Sequence, residues 1–312
     1  MFTRSTRPQT SICVCPLCFY GRRCQFSSNV FGLSLDAILG YHIQPYIAIK
    51  HQSLVVQLSI ALTIIMIVAG LINSALLMIA INNSEPRKTG CGIYLINTSI
   101  TTLFTMIIFL LKFPILIIAQ KTYITNRLFL QLQCTSIDFL LRIGLNMDQW
   151  LSACIVIERA VAPIKGTSFN KKKSKEMVKY IILILLILNI GTIIHVPIHR
   201  HLINDDDDDD DDDSEKRIWC IVTYSSSLQT FNTVVNIFHF LTPFIINLIS
   251  GPIIIVMTAR QRTTVRIHES YRNILYQQFE QRSHLLITPI VLVILAIPRL
   301  IISFILTLYE VN

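Results

Sequence analysis

Residues 134–159 read Cys134-Thr-Ser-Ile-Asp138-Phe-Leu-Leu141-Arg142-Ile-Gly144-Leu-Asn-Met-Asp148-Gln-Trp150-Leu-Ser-Ala-Cys154-Ile-Val-Ile-Glu158-Arg159. As an α-helix this stretch rises about 37 Å, and the hydrocarbon core of a bilayer is roughly 30 Å thick. It reaches from face to face of a membrane, with a cysteine at one end and an acid-arginine pair at the other. The whole chain has the matching composition, 52% hydrophobic and 15% charged over 312 residues, with a mean hydropathy of +0.56. Such values belong to a multi-spanning α-helical protein whose partner is the lipid bilayer, not to a soluble domain.

Working outward, apolar runs long enough to cross a bilayer lie at 54–81, 93–118, 134–160, 178–198, 233–258 and 285–308. Lys165, Lys171, Lys172, Lys173, Lys175 and Lys179 follow the third run, and Arg260, Arg262, Arg266 and Arg272 follow the fifth. Short cationic loops stay in the cytoplasm. That puts 82–92, 159–179 and 260–284 inside, Cys134 outside, and the soluble segment 1–53 on the extracellular side. No apolar core of signal length precedes Cys13, so either the first span serves as signal anchor or the N-terminus is incomplete. Asp205 to Asp213 form a run of one sign, expected to be a disordered extracellular loop. The net charge is +8 in spite of those nine carboxylates, and nucleic acid is a poor explanation for basic residues that flank membrane spans.

Polar residues inside the spans are the functional candidates, because charges there face the bundle interior or a water-filled cavity. Lys112, Arg142 and Arg299 lie in the outer half. Lys112, close to Pro114, is expected to snorkel to the surface. Asp138, four residues before Arg142, is expected to form an ion pair with it along one helix face. Asp148 lies near the midplane, where an acid costs about 2.5 to 3.5 kcal/mol on insertion scales and needs a partner or a proton. No Ser/His/Asp set, phosphate loop or His-Glu-x-x-His pattern is present, so no enzyme activity, metal or cofactor is expected. A transporter or channel is the competing class, and it calls for internal repeats or acid chains through several helices. Cys13, Cys15, Cys18 and Cys24 are read as extracellular disulfide cysteines ahead of a zinc site.

The interval from Cys134 to the Arg of Glu158-Arg159-Ala160 resembles the third transmembrane helix of rhodopsin-like (class A) G-protein-coupled receptors. Other landmarks fall in register: Gly70-Leu-Ile-Asn73 in the first span, Ser99-Ile-Thr-Thr102-Leu in the second, Phe240-Leu-Thr-Pro243 in the fifth and Pro298 in the sixth. The resemblance implies an all-α membrane protein, a rhodopsin-like helical bundle at 54–308 in the plasma membrane. It implies a disulfide between Cys134 and Cys220, coupling to a heterotrimeric G protein through Glu158 and Arg159, and hinges at Pro243 and Pro298. It also implies an interior polar or ion site of Asn73, Thr102 and Asp148, in which the acid has moved from the place of Thr102 to Asp148. The ligand pocket would include Lys112, Asp138, Leu141, Arg142 and Arg299. Leu141 stands where amine receptors carry an acid, so a peptide or anionic ligand is preferred over an amine. Ala160, Gly251 and Ala296 depart from the family's aromatic positions. Six of seven spans are found before Asn312, which is read as a truncated gene model or fragment. Cys13-Val-Cys15 through Cys24 resembles the closing half of an epidermal-growth-factor-like module, with Cys18 where that pattern has Gly.

Overall fold

The computed structural model describes residues 19–20, 26–27, 43, 48–82, 90–120, 126–165, 170–204, 218–265 and 271–282. The expected sixth span at 285–308, with Pro298 and Arg299, lies outside them, as do the 205–213 run and Cys13, Cys15, Cys18 and Cys24.

Five described helices are long and apolar enough to cross a membrane. They are α1 (Leu54–Asn82), α2 (Gly90–Gln120), α3 (Arg127–Lys165), α4 (Lys171–Ile193) and α5 (Ser226–Val265), followed by α6 (Tyr271–Arg282). Two of them start on asparagine caps. Asn126 Oδ1 accepts from the backbone N–H groups of Leu128 and Phe129, and Asn170 Oδ1 accepts from those of Lys172 and Lys173. Each side chain satisfies two donors that a helix start leaves without a partner. In α2 the polar side chains Asn97, Thr98, Thr101 and Thr105 each donate to the carbonyl four residues earlier. A run of hydroxyls can therefore cross hydrocarbon without facing lipid unsatisfied.

All five long helices overrun the apolar windows read from the sequence, α1 by one residue and α2 at both ends. Helix α3 extends beyond 134–160 at both ends and α5 beyond 233–258, because backbone hydrogen bonding continues where the side chains are already hydrated. Helix α4 begins seven residues before its window, at Lys171, and ends at Ile193, ahead of a separate turn of helix at His195–Ile198. Pro197 accounts for that break, since it has no N–H to return to the carbonyl of Ile193. Pro114 lies within α2, and Pro243 and Pro252 within α5.

Helix α3 is central, packed against α2, α4, α5 and the first strand of a β-hairpin, while α2 also packs against α1. Tyr94, Met147, Leu151, Ile155 and Val178 form a core shared by α2, α3 and α4. Val56, Phe113 and Leu116 form another between α1 and α2, closed by Ile43. The outward faces carry exposed Leu58, Leu62, Ile65, Ile72, Ile107, Leu183 and Ile187, side chains that meet acyl tails in a bilayer. Gly144 lets α2 and α3 touch, because a Cβ there would collide with Thr105 Oγ1. Thr102 lies one turn from Thr105 and Asp148 one turn from Gly144, so the close approach brings those two side chains together.

The strands are short. β1 (Phe19–Tyr20) pairs with β2 (Phe26–Ser27), and β3 (Arg200–Asn204) pairs antiparallel with β4 (Ile218–Val222), placing Leu202 opposite Cys220. The apolar and β-branched run Ile218, Ile221, Val222 suits an extended strand that buries residues against the helix ends.

Candidate functional site

At the outer end of the bundle Cys134 and Cys220 form a disulfide, with Cα atoms 5.7 Å apart. The bond fastens β4 to α3. Arg200, at the start of β3, fastens the same hairpin a second time: its guanidinium donates to the Cys134 carbonyl and to the Asp138 carboxylate. The other oxygen of Asp138 is held by Lys112 Nζ at 2.9 Å. Lys112 is 0% exposed, which overturns the expected snorkelling. The Asp138 carboxylate lies within reach across the α2–α3 contact, so turning inward satisfies the ammonium without a climb to the surface. The expected Asp138–Arg142 pair is corrected as well. Lys112 and Arg200 occupy one oxygen each, and Arg142 Nη1 instead donates to Asn232 Oδ1 at 3.3 Å. His195 Nε2 donates to that same oxygen, and its ring packs against Tyr224 and Phe231. Leu141 is half-buried beside Arg142. The Tyr224 hydroxyl is buried without a hydrogen-bond partner among the described residues. Burial pushes its pKa above the ordinary tyrosine value, while Arg142 and Arg200 pull it down.

At mid-depth Thr102 Oγ1 lies 3.3 Å from both oxygens of Asp148. A hydroxyl has one proton, so it serves one oxygen at a time. Asn73 is exposed, and the bond that ties the first two spans runs from Ser99 Oγ to the Ser74 carbonyl. A second polar join links three helices. Trp150 Nε1 lies 2.9 Å from His239 Nδ1, and His239 Nε2 lies 2.8 Å from Thr192 Oγ1. An indole N–H can only donate, so Nδ1 accepts and the imidazole carries its proton on Nε2. Thr192 Oγ1 accepts that hydrogen bond and donates its own to the Leu188 carbonyl.

At the inner end Glu158 Oε1 accepts from Ser174 Oγ at 2.7 Å, joining α3 to the first turn of α4. Glu158 Oε2 is buried and without a partner among the described residues. Arg159 is exposed. Pro243 is buried within α5.

A family model described as 7 transmembrane receptor (rhodopsin family) matches residues 72–312. The chain belongs to the rhodopsin family of seven-transmembrane receptors. A search of curated proteins finds no match to it. As a rhodopsin-family receptor it is a multi-pass membrane protein of the signalling class, with an all-α bundle and the Cys134–Cys220 disulfide. Sequence reasoning passed over several residues that the receptor brings to these sites: Arg200, Asn232, His195, Tyr224, His239 and Ser174. Arg200 carried a usable signal, since a cation at the outer end of a span runs against the positive-inside pattern. Asn232, His239 and Ser174 carried none, because each gains its role from a partner at least sixteen residues away.

Proposed function

We propose that this receptor responds to an extracellular ligand bearing an anionic group, whether a peptide or a smaller molecule, and passes the signal to a heterotrimeric G protein. One observation supports the ligand class: in the outer half Lys112 and Arg200 share a single carboxylate, Asp138, while Arg142, one turn further along α3, is held by the neutral amide of Asn232. A net positive, largely desolvated cluster favours an incoming carboxylate or phosphate and disfavours an ammonium. Arg142, held by a neutral Asn232 side chain, is the cation best placed to exchange its partner, and the Tyr224 hydroxyl offers a donor beside it.

In this reading Arg159 is the exposed coupling residue of the cytoplasmic face, and Glu158 is held beside it by Ser174. Thr102 and Asp148 form the interior polar site. Residues 1–53 and the 205–213 loop face the cell exterior, with the receptor in the plasma membrane. The lysines that follow α3 support that orientation.

The test is activation of receptor-expressing cells by a panel of carboxylate and phosphate compounds, acidic peptides and amines of matched size. Anionic members are expected to activate, and Arg142→Gln to raise their half-maximal concentration at least about tenfold, the worth of one charge-assisted hydrogen bond. Activation by amines alone, indifferent to Arg142→Gln, would sink the ligand class. Arg159→Ala is expected to abolish G-protein nucleotide exchange at an unchanged surface level.

A further inference from the structure

We infer that Ser174 is a phosphorylation site whose modification parts α4 from α3 at the coupling end. The inference rests on the cytoplasmic orientation proposed above. Ser174 lies in the first turn of α4 within Lys171-Lys-Lys-Ser174-Lys175, four positions after the Asn170 cap. Lys172 and Lys173 are exposed and Ser174 is half-buried. A serine among lysines suits a kinase whose peptide cleft is acidic, and the first turn of a helix is the part that frays to let such a cleft reach the hydroxyl.

The step is a transfer from ATP. Ser174 Oγ forms a bond to the γ-phosphorus, the bond from that phosphorus to the β-phosphate oxygen breaks, ADP leaves, and the hydroxyl proton passes to the kinase's base. The consequence follows from what now surrounds Oγ. The hydroxyl is the donor to Glu158 Oε1 at 2.7 Å, and the other oxygen of Glu158 has no partner among the described residues. Phosphorylation removes that donor and sets a group of about −1.5 to −2 charge against the carboxylate. Space is lacking too. A single Cβ on Gly90 would lie 2.5 Å from Ser174 Oγ and 2.6 Å from Glu158 Oε1, so three oxygens and a phosphorus cannot be seated at this junction. The phosphate is nevertheless at home on α4, whose N-terminal N–H groups and lysines favour an anion. Helix α4 therefore stays helical and moves off α3, next to Arg159.

The experiment incubates the purified full chain with ATP and a protein kinase selective for serines flanked by lysines, then maps phosphate by mass spectrometry and follows thermal unfolding. Phosphate on Ser174 and a melting temperature lower by several degrees are expected. Ser174→Asp is expected to copy the shift, and adding Glu158→Gln to Ser174→Asp to remove most of it. No phosphate on Ser174 while the kinase modifies a control peptide would overturn the inference, as would phosphate there with unchanged unfolding. Lysine labelling by an impermeant reagent in intact cells separates the two readings. Labelled Lys172 and Lys173 would overturn the orientation and this inference together, whereas protected lysines with Ser174 unmodified in the kinase reaction would overturn this inference alone.

Discussion

Removing the carboxylate of Asp138 takes away the counter-charge that buried Lys112 and Arg200 share, whereas removing Lys112 leaves Arg200 and Asp138 as a balanced pair. The two substitutions delete members of one cluster and should differ sharply. Asp138→Asn is expected to destabilise by about 3 to 5 kcal/mol, the range for stranding a buried charge, and Lys112→Met by clearly less. Thermal unfolding of the purified variants ranks them, and an equal or reversed order would count against the cluster. Deeper in the bundle, Asp148 has a single hydroxyl partner for two oxygens among the described residues. As an interior cation ligand it should give a melting temperature that rises with sodium concentration, a rise absent from Asp148→Asn. At this scale the sequence announced which residues were charged and in the membrane but not whom they met. Lys112 and Arg142 were both legible as outer-half cations, yet local rules assigned snorkelling to one and an i,i+4 partner to the other. Asp138 decided both outcomes: Lys112 turned inward to one of its oxygens, and Arg200, 62 residues further on, took the other and left Arg142 to Asn232.

Elements in this bundle meet through small contacts whose geometry can be tested one at a time. Gly144 seats α3 against Thr105 of α2, so Gly144→Ala should separate the two helices and cost about 1 to 3 kcal/mol, as overpacking does. Thr105→Ala introduced together with it should recover most of that loss, and failure to recover would mean that the glycine serves the α3 backbone instead. The helices themselves were readable from apolar windows, because the requirement to satisfy every backbone group inside hydrocarbon leaves no other choice for such runs. Their ends were less so. The window at 178–198 passes through Pro197 without a break, since hydropathy does not register a missing N–H. The hairpin of β3 and β4 escaped notice for a different reason: its strands are five residues each and are separated in sequence by the 205–213 run.

For the whole molecule, the orientation proposed from the distribution of lysine and arginine makes a direct prediction: an epitope tag placed between Lys171 and Lys175 should stain only permeabilised cells. Staining of intact cells would invert every assignment of inside and outside. Asp138 has a consequence that reaches beyond its own neighbourhood, because it is at once the counter-charge of Lys112 and the anchor of the hairpin through Arg200. An anionic ligand that recruits Lys112 or Arg200 therefore competes with the Arg200 latch that holds β3 down, while the disulfide keeps β4 on α3. Ligand occupancy and hairpin release then share one free energy, and thermodynamic reciprocity applies: whatever factor the ligand imposes on release, release imposes on the ligand. A binder that recognises the lifted hairpin, such as an antibody selected on the Arg200→Gln receptor, should tighten when anionic ligand is added. It should strengthen that ligand's affinity by the same factor, so that the outer loop works as a second input to the receptor.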